Sequence, residues 1–183
     1  IYGGKRMKIV VLQESPNSKG STNILVENFI KGAREKGHEV TRFDVSKMSI
    51  LPCLGCVACG YEGPCVQKDD NEIIKKALLS SDMLVLATPL YYYGMSAQLK
   101  IVIDRFCSYN YSLTGKHLKS ALLIVAWNQD DWTFEALVSH YKTLVRYLEL
   151  EDQGMILGYG CGNVSMTKHS KYPQEAYQLG YSL

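Results

Sequence analysis

Four short apolar runs, each leading through a loop into an amphipathic segment, constrain this chain more than any other feature. KIVVL (Lys8 to Leu12), MLVLATP, ALLIVAW and GMILGYG are continuous rather than alternating. That is the pattern of strands covered on both faces. EVTRFDV alternates instead, as an edge strand does. Between them, apolar residues recur at helical spacing in Thr22 to Lys36, in KDDNEIIKKALLSSD, from about Ser96 to Phe106, in Trp132 to Leu148 and in PQEAYQLGYSL. Gly37 stands where a helix C-cap belongs. Asp69 and Glu72 have capping-box spacing. Five strands alternating with five helical patterns predict a parallel sheet with helices on both faces. In such a sheet ligands bind beyond the carboxyl ends of the strands, where the strand order reverses.

The 183 residues suit one domain, residues 1–183, with residues 1–6 before Met7 read as a leader or expression remnant. Twenty basic and 18 acidic side chains are interspersed to a net charge of +2. No basic run or tail calls for nucleic acid or a membrane surface, and stretches such as SALLIVAW are too short to span a bilayer. With no export signal before the first strand, the expected setting is the cytoplasm, where structural disulfides are rare.

The loop after the first strand, QESPNSKGSTN, is rich in hydroxyls and runs straight into a helix. A helix N-terminus offers free N–H groups and partial positive charge, which suits a phosphate. An ordinary capped turn reads the same way. Neither G-x-x-x-x-G-K-[ST] nor G-x-G-x-x-G occurs here, which argues against an ATP loop and a dinucleotide turn. After the third strand comes TPLYYYGMSAQLK. Its three consecutive tyrosines cannot all enter one core, and aromatics at a ligand edge can stack on a planar ring. Gly94 is expected to permit the tight turn. In the WNQDDW loop after the fourth strand, Trp127 and Asn128 are placed to face a ligand, and Asp130 and Asp131 to cap the next helix.

Cys53, Cys56, Cys59 and Cys65 are spaced C-x2-C-x2-C-x5-C. Four thiolates in so compact a run suit one iron–sulfur cluster. Structural zinc sites more often join two separated ligand pairs. A redox pair needs only two thiols, and free cysteines also pack as small hydrophobes. Cys107 and Cys161 fall outside the run and are expected to be packing residues. The four histidines are scattered, and no paired carboxylates or Ser/His/Asp set marks a hydrolase.

SPNSKGSTNIL, TPLYYYGMSAQLKIVIDRF and PCLGCVACGYEGPCVQKDD together resemble the flavodoxin-like NAD(P)H-dependent FMN reductases, in particular their iron–sulfur flavoprotein branch. The likeness covers nearly the whole chain. It implies a flavodoxin-like three-layer αβα sandwich with a five-stranded parallel sheet in the order 2-1-3-4-5. It further implies an FMN oxidoreductase in which NAD(P)H delivers hydride to flavin N5 and electrons leave to a small-molecule or protein acceptor. By resemblance Ser15, Ser18, Ser21 and Thr22 hold the FMN phosphate. Pro89, Leu90, Tyr91, Tyr92, Tyr93 and Gly94 border the isoalloxazine. The relatives' glycine-rich turn after the fourth strand is replaced here by WNQDDW. The cysteine spacing fits a [4Fe–4S] cluster of this branch. Two other readings are an electron carrier with a protein donor and a flavin-binding redox sensor. An exposed aromatic and cysteine rim predicts a homodimer or higher homo-oligomer.

Overall fold

The computed structural model describes residues 5–15, 17 and 19–183. Five parallel strands, β1 (Lys8–Gln13), β2 (Glu39–Asp44), β3 (Met83–Pro89), β4 (Lys119–Val125) and β5 (Glu151–Gly158), form one sheet in the order β2-β1-β3-β4-β5. This is the expected order. The central strands are covered on both faces, so their residues divide by parity between two cores. Val10, Leu12, Leu84, Leu86, Leu122 and Ile124 face one way, and Ile9, Val11, Met83, Val85, Ala121 and Leu123 the other. β2 is the exposed edge, which is why its sequence alternates.

The helices are α1 (Ser21–Glu35), α2 (Asn71–Leu79), α3 (Ala97–Arg105), α4 (Asn110–Thr114), α5 (Glu135–Tyr147), α6 (Val164–Lys168) and α7 (Tyr172–Tyr181). α1 ends as expected. Gly37 is left-handed (φ 98°), and the N–H groups of Gly37 and His38 donate to Arg34 and Ala33 at 2.9 and 3.0 Å. This closes a Schellman turn. α1 is fixed against α7 through two glycines. A Cβ on Gly32 would lie 2.1 Å from the Tyr177 carbonyl, and one on Gly180 2.2 Å from the Phe29 carbonyl. Among the described residues, no helix is long and apolar enough to cross a membrane.

Several local expectations are corrected. Asp69 Oδ1 accepts the Asn71 N–H at 3.1 Å, but no return bond from Glu72 completes a capping box. The Asp69 carboxylate is committed instead to Arg105 and to the Leu51 N–H. Asp130 and Asp131 cap nothing with their side chains: a 3-10 turn over Asp131–Phe134 intervenes, and α5 starts only at Glu135. The short helices α4 and α6 carry too few residues to show a period in sequence.

Candidate functional site

β1 lies between β2 and β3, so the chain leaves its carboxyl end toward one face of the sheet and that of β3 toward the other. This is the switch point. A cleft opens there, and the structure brings together in it Ser15, Ser21 and Thr22 from the first loop, Pro89, Leu90 and Tyr91 from the third, and Trp127 from the fourth. Ser18 lies outside the described residues. Tyr92, Tyr93, Gly94 and Asn128 are not part of the lining.

On the phosphate side, α1 begins at Gly20, whose φ and ψ are extended. Among the described residues no side chain caps the helix, and its first turn holds no acid. Its N-terminal dipole and N–H groups are thus left for a ligand. The Ser21 hydroxyl lies 2.7 Å from that of Thr167. Asn17 shapes the loop by accepting the Lys19 N–H at 3.0 Å on its side chain and the Gly20 N–H at 2.9 Å on its carbonyl.

On the ring side, Tyr91 and Gly94 exchange backbone hydrogen bonds of 3.0 Å across a two-residue turn. Its central residues Tyr92 and Tyr93 are both left-handed, at φ 45° and 62°. Gly94 is not, so the expectation that glycine makes this turn is overturned: two tyrosines carry the strain. Tyr92 is fully exposed at 103%. Tyr93 packs on Trp132 with ring centroids 5.0 Å apart, and its hydroxyl accepts from Asn128 Nδ2 at 3.3 Å. Asn128 therefore supports Tyr93. The indole of Trp127 lies flat over Gly162, where a Cβ would come within 2.0 Å of the ring.

Sequence reasoning passed over Glu14. It is wholly buried, and neither carboxylate oxygen has a hydrogen-bond partner among the described residues. Burial raises its pKa, and burial together with Glu14 raises that of Tyr91. A carboxyl between two polar cleft residues gives no sequence signal of burial.

These features fit FMN. A free helix N-terminus with hydroxyls suits a terminal phosphate, and a glycine-backed indole opposite an aromatic loop suits a flat ring.

The cysteine run forms a second site. Cys53, Cys56, Cys59 and Cys65 line a cavity of about 220 Å³ that shares no lining residue with the cleft. Its floor is Arg105, Cys107 and Ser108, at the far end of α3 from the tyrosine loop. At 1.5 Å per residue that helix is about 13 Å long. The run leaves β2 at the cleft edge, but its cavity is built away from it. Cys161 is buried, as expected of a packing residue, whereas Cys107 is partly exposed. Burial, then the neighbouring Cys59, push the Cys107 thiol up to about 11.

Gly55, Val57, Gly60 and Tyr61 are left-handed, at φ 65°, 55°, 54° and 65°. For a β-branched valine this is an outlier, and such strain collects at functional sites. Arg105 pairs with Asp69 at 2.6 Å and is 1% exposed, yet its Nε has no partner. Among the described residues no three potential ligands converge closely enough for a single metal ion. A lone zinc would need its sulfurs within about 4 Å of one another, given bonds of about 2.3 Å. A cubane holds them further apart. Four open thiols beside a buried guanidinium are a donor set that suits an anionic cluster.

The pattern of the NADPH-dependent FMN reductases matches residues 7–151. The chain belongs to that family. It is an NAD(P)H-dependent FMN oxidoreductase. An iron–sulfur flavoprotein of Archaeoglobus fulgidus is 35% identical over 156 residues, covering 84% of this chain and 69% of the relative. Another from Methanocaldococcus jannaschii is 35% identical over 99 residues, 54% of this chain and 51% of that protein. Among solved structures, an NAD(P)H:quinone oxidoreductase from Methanothermobacter marburgensis superposes with a TM-score of 0.80 at 18% identity, covering 97% of this chain and 96% of that one. That likeness establishes the flavodoxin-like fold.

Proposed function

We propose that residues 1–183 form one unit that holds FMN at the switch-point cleft and passes electrons from NAD(P)H to a separate acceptor. The carrying observation is that an uncapped, acid-free helix N-terminus and an aromatic loop open onto the same cleft. When bound, the flavin supplies hydride acceptance at N5. The chain's part is placement. The first turn of α1 and the hydroxyls of Ser15, Ser21 and Thr22 donate to the phosphate; Ser18 is assigned the same role by resemblance. Pro89, Leu90 and Tyr91 border one side of the ring, with Trp127 opposite. Tyr92, Tyr93 and Gly94 form the outer lip on which a nicotinamide stacks, and Asn128 holds Tyr93 in place.

Denatured protein should release FMN, and anaerobic NADPH or NADH should bleach the flavin absorbance. Protein that neither carries nor takes up FMN overturns the cleft reading. Bound flavin that neither nucleotide bleaches favours a carrier with a protein donor.

A second reading rests on the cysteine cavity. Cys53, Cys56, Cys59 and Cys65 hold a [4Fe–4S] cluster that supplies one-electron chemistry toward a protein acceptor, across a subunit boundary. Anaerobically purified protein should contain iron, sulfide and broad absorbance beyond the flavin bands, all lost in Cys56→Ala. Iron-free protein with full NAD(P)H activity rejects it. Leu51, Leu54, Val57 and Val66 around this cavity are exposed, which supports a homodimer or higher homo-oligomer. A flavin-loaded monomer at micromolar concentration by light scattering contradicts that. The cytoplasm is the proposed setting, since open thiols need a reducing compartment.

A further inference from the structure

The cysteine cavity holds more thiols than a cluster needs. Four come from the run Cys53 to Cys65, and the fifth, Cys107, rises from the floor. The two parts are fastened together. The Asn110 N–H donates to the Tyr61 carbonyl at 2.9 Å, and the Ser112 N–H to Glu62 at 2.8 Å. The Ser112 hydroxyl donates to the same carboxylate. These bonds tie the back half of the cysteine run to the segment carrying Cys107. That segment is anchored in the protein: Arg105, Phe106, Ser108 and Tyr109 are all buried. Within this frame Cys59 is the thiol of the run that the structure sets against the Cys107 backbone. The Cys59 Sγ lies 4.0 Å from the Cys107 carbonyl, and after burial Cys59 is the first cause of the raised Cys107 pKa. Cys53 and Cys65 influence Cys107 only through space.

We propose that Cys107 is a reserve ligand of the cysteine cavity, able to bind iron in place of Cys59. The inference rests on the cluster reading above. The exchange is a ligand substitution. Cys107 gives up its thiol proton and forms a sulfur–iron bond, while Cys59 releases its own and takes up a proton. No electron is transferred and the iron oxidation states do not change. Among the described residues no bond links Cys56 to Cys107, and Cys56 is not among the thiols that perturb it, so its loss should not be rescued. The reserve thiol would let the chain keep its cluster when Cys59, on the partly exposed loop, is oxidised or otherwise blocked.

The test is anaerobic reconstitution with ferrous iron and sulfide of the wild-type chain, Cys59→Ala, Cys59→Ser, Cys107→Ala, Cys56→Ala and the double variant Cys59→Ala/Cys107→Ala. Iron and sulfide content and the electron paramagnetic resonance of the reduced protein are the readouts, with FMN content and circular dichroism reporting folding. Wild type and Cys107→Ala should carry a full cluster. Cys59→Ala and Cys59→Ser should keep more than roughly half of the iron with a shifted resonance, and the double variant and Cys56→Ala should lose it about tenfold. Folded Cys59 variants as iron-poor as Cys56→Ala overturn the reserve ligand and leave the cluster standing. An iron-free wild type overturns the cluster, and this inference with it. Full iron in the double variant shows that neither thiol is needed and also overturns it.

Discussion

Replacing Tyr92 by asparagine should stabilise the protein and slow its reduction by nicotinamide. Tyr92 sits at φ 45° with its side chain fully in solvent. A left-handed conformation costs an ordinary residue about 1–2 kcal/mol, and asparagine tolerates it better. No packing is lost, so Tyr92→Asn should gain about 1 kcal/mol. For a chain of this size that is roughly 2–4 °C in Tm. Tyr92→Gly relieves the same strain but adds unfolded-state freedom worth about 0.5–1 kcal/mol, so it should fall near wild type. Tyr93→Asn should gain nothing, because Tyr93 packs on Trp132 and accepts from Asn128. Thermal unfolding at matched flavin saturation gives the order, and anaerobic stopped-flow reduction gives the function. An aromatic stacking contact of about 0.5–1.5 kcal/mol corresponds to a roughly 2- to 10-fold slower reduction by NADPH. A Tm for Tyr92→Asn at or below wild type refutes the strain argument. An unchanged reduction rate removes Tyr92 from nicotinamide binding.

Glu14→Gln should stabilise the chain more at alkaline than at acid pH. Burial raises the folded pKa of Glu14 above its ordinary 4.5, so its favourable neutral form is fully present below that value and is lost as pH rises through the folded pKa. The gap in Tm should widen as pH rises from the ordinary carboxylate range through the raised folded pKa, and a constant gap contradicts this. Gly32→Ala would put a Cβ 2.1 Å from the Tyr177 carbonyl. It should cost about 1–3 kcal/mol by chemical denaturation; an unchanged midpoint would show that α1 and α7 are not locked. Gly162→Val would displace Trp127, whose ring lies 2.0 Å from the new Cβ. Because that indole is 66% exposed, Tm should hardly move while FMN affinity drops, and equal affinity in a fluorescence titration takes Trp127 out of the site.

The fold was legible because buried parallel strands must be continuously apolar. KIVVL, MLVLATP and ALLIVAW have no reading that leaves them in water, and all three became central strands. Gly37 was legible for a similar reason, since a helix ending there needs a left-handed residue. The loops that meet at the cleft were legible by position, and Ser21, Thr22, Tyr91 and Trp127 line it. What failed was local chemistry with a competing partner. Asp69 has capping spacing, but a buried guanidinium 36 residues away claims its carboxylate. Gly94 was credited with a turn that its tyrosine neighbours make. Cys107 was set aside because it stands 42 residues past Cys65 in sequence, while the end of α3 brings it to the floor of the same cavity.

Three features at the carboxyl ends of β1 and β3 break ordinary rules of local stability. α1 carries glycine at its N-cap, where serine or asparagine would add about a few tenths of a kcal/mol through a side-chain bond. Two tyrosines occupy left-handed positions that asparagine and glycine usually fill. Glu14 is enclosed without a partner, although an unmade buried hydrogen bond costs about 1–3 kcal/mol. None of these has a packing explanation in the two cores, which are apolar and closed. Each makes sense as readiness for a ligand. A glycine N-cap leaves the first N–H groups to an incoming phosphate, because no side chain competes for them. The strained turn projects a tyrosine into solvent where a planar donor can stack. A carboxyl whose pKa is raised by burial behind the aromatic loop resists carrying negative charge where an anionic cofactor binds. Of the three, the open N-terminus of α1 borders the cleft directly, and the strained turn and Glu14 adjoin it through their neighbours Tyr91 and Ser15, so departures from local stability gather around one site independently of family resemblance.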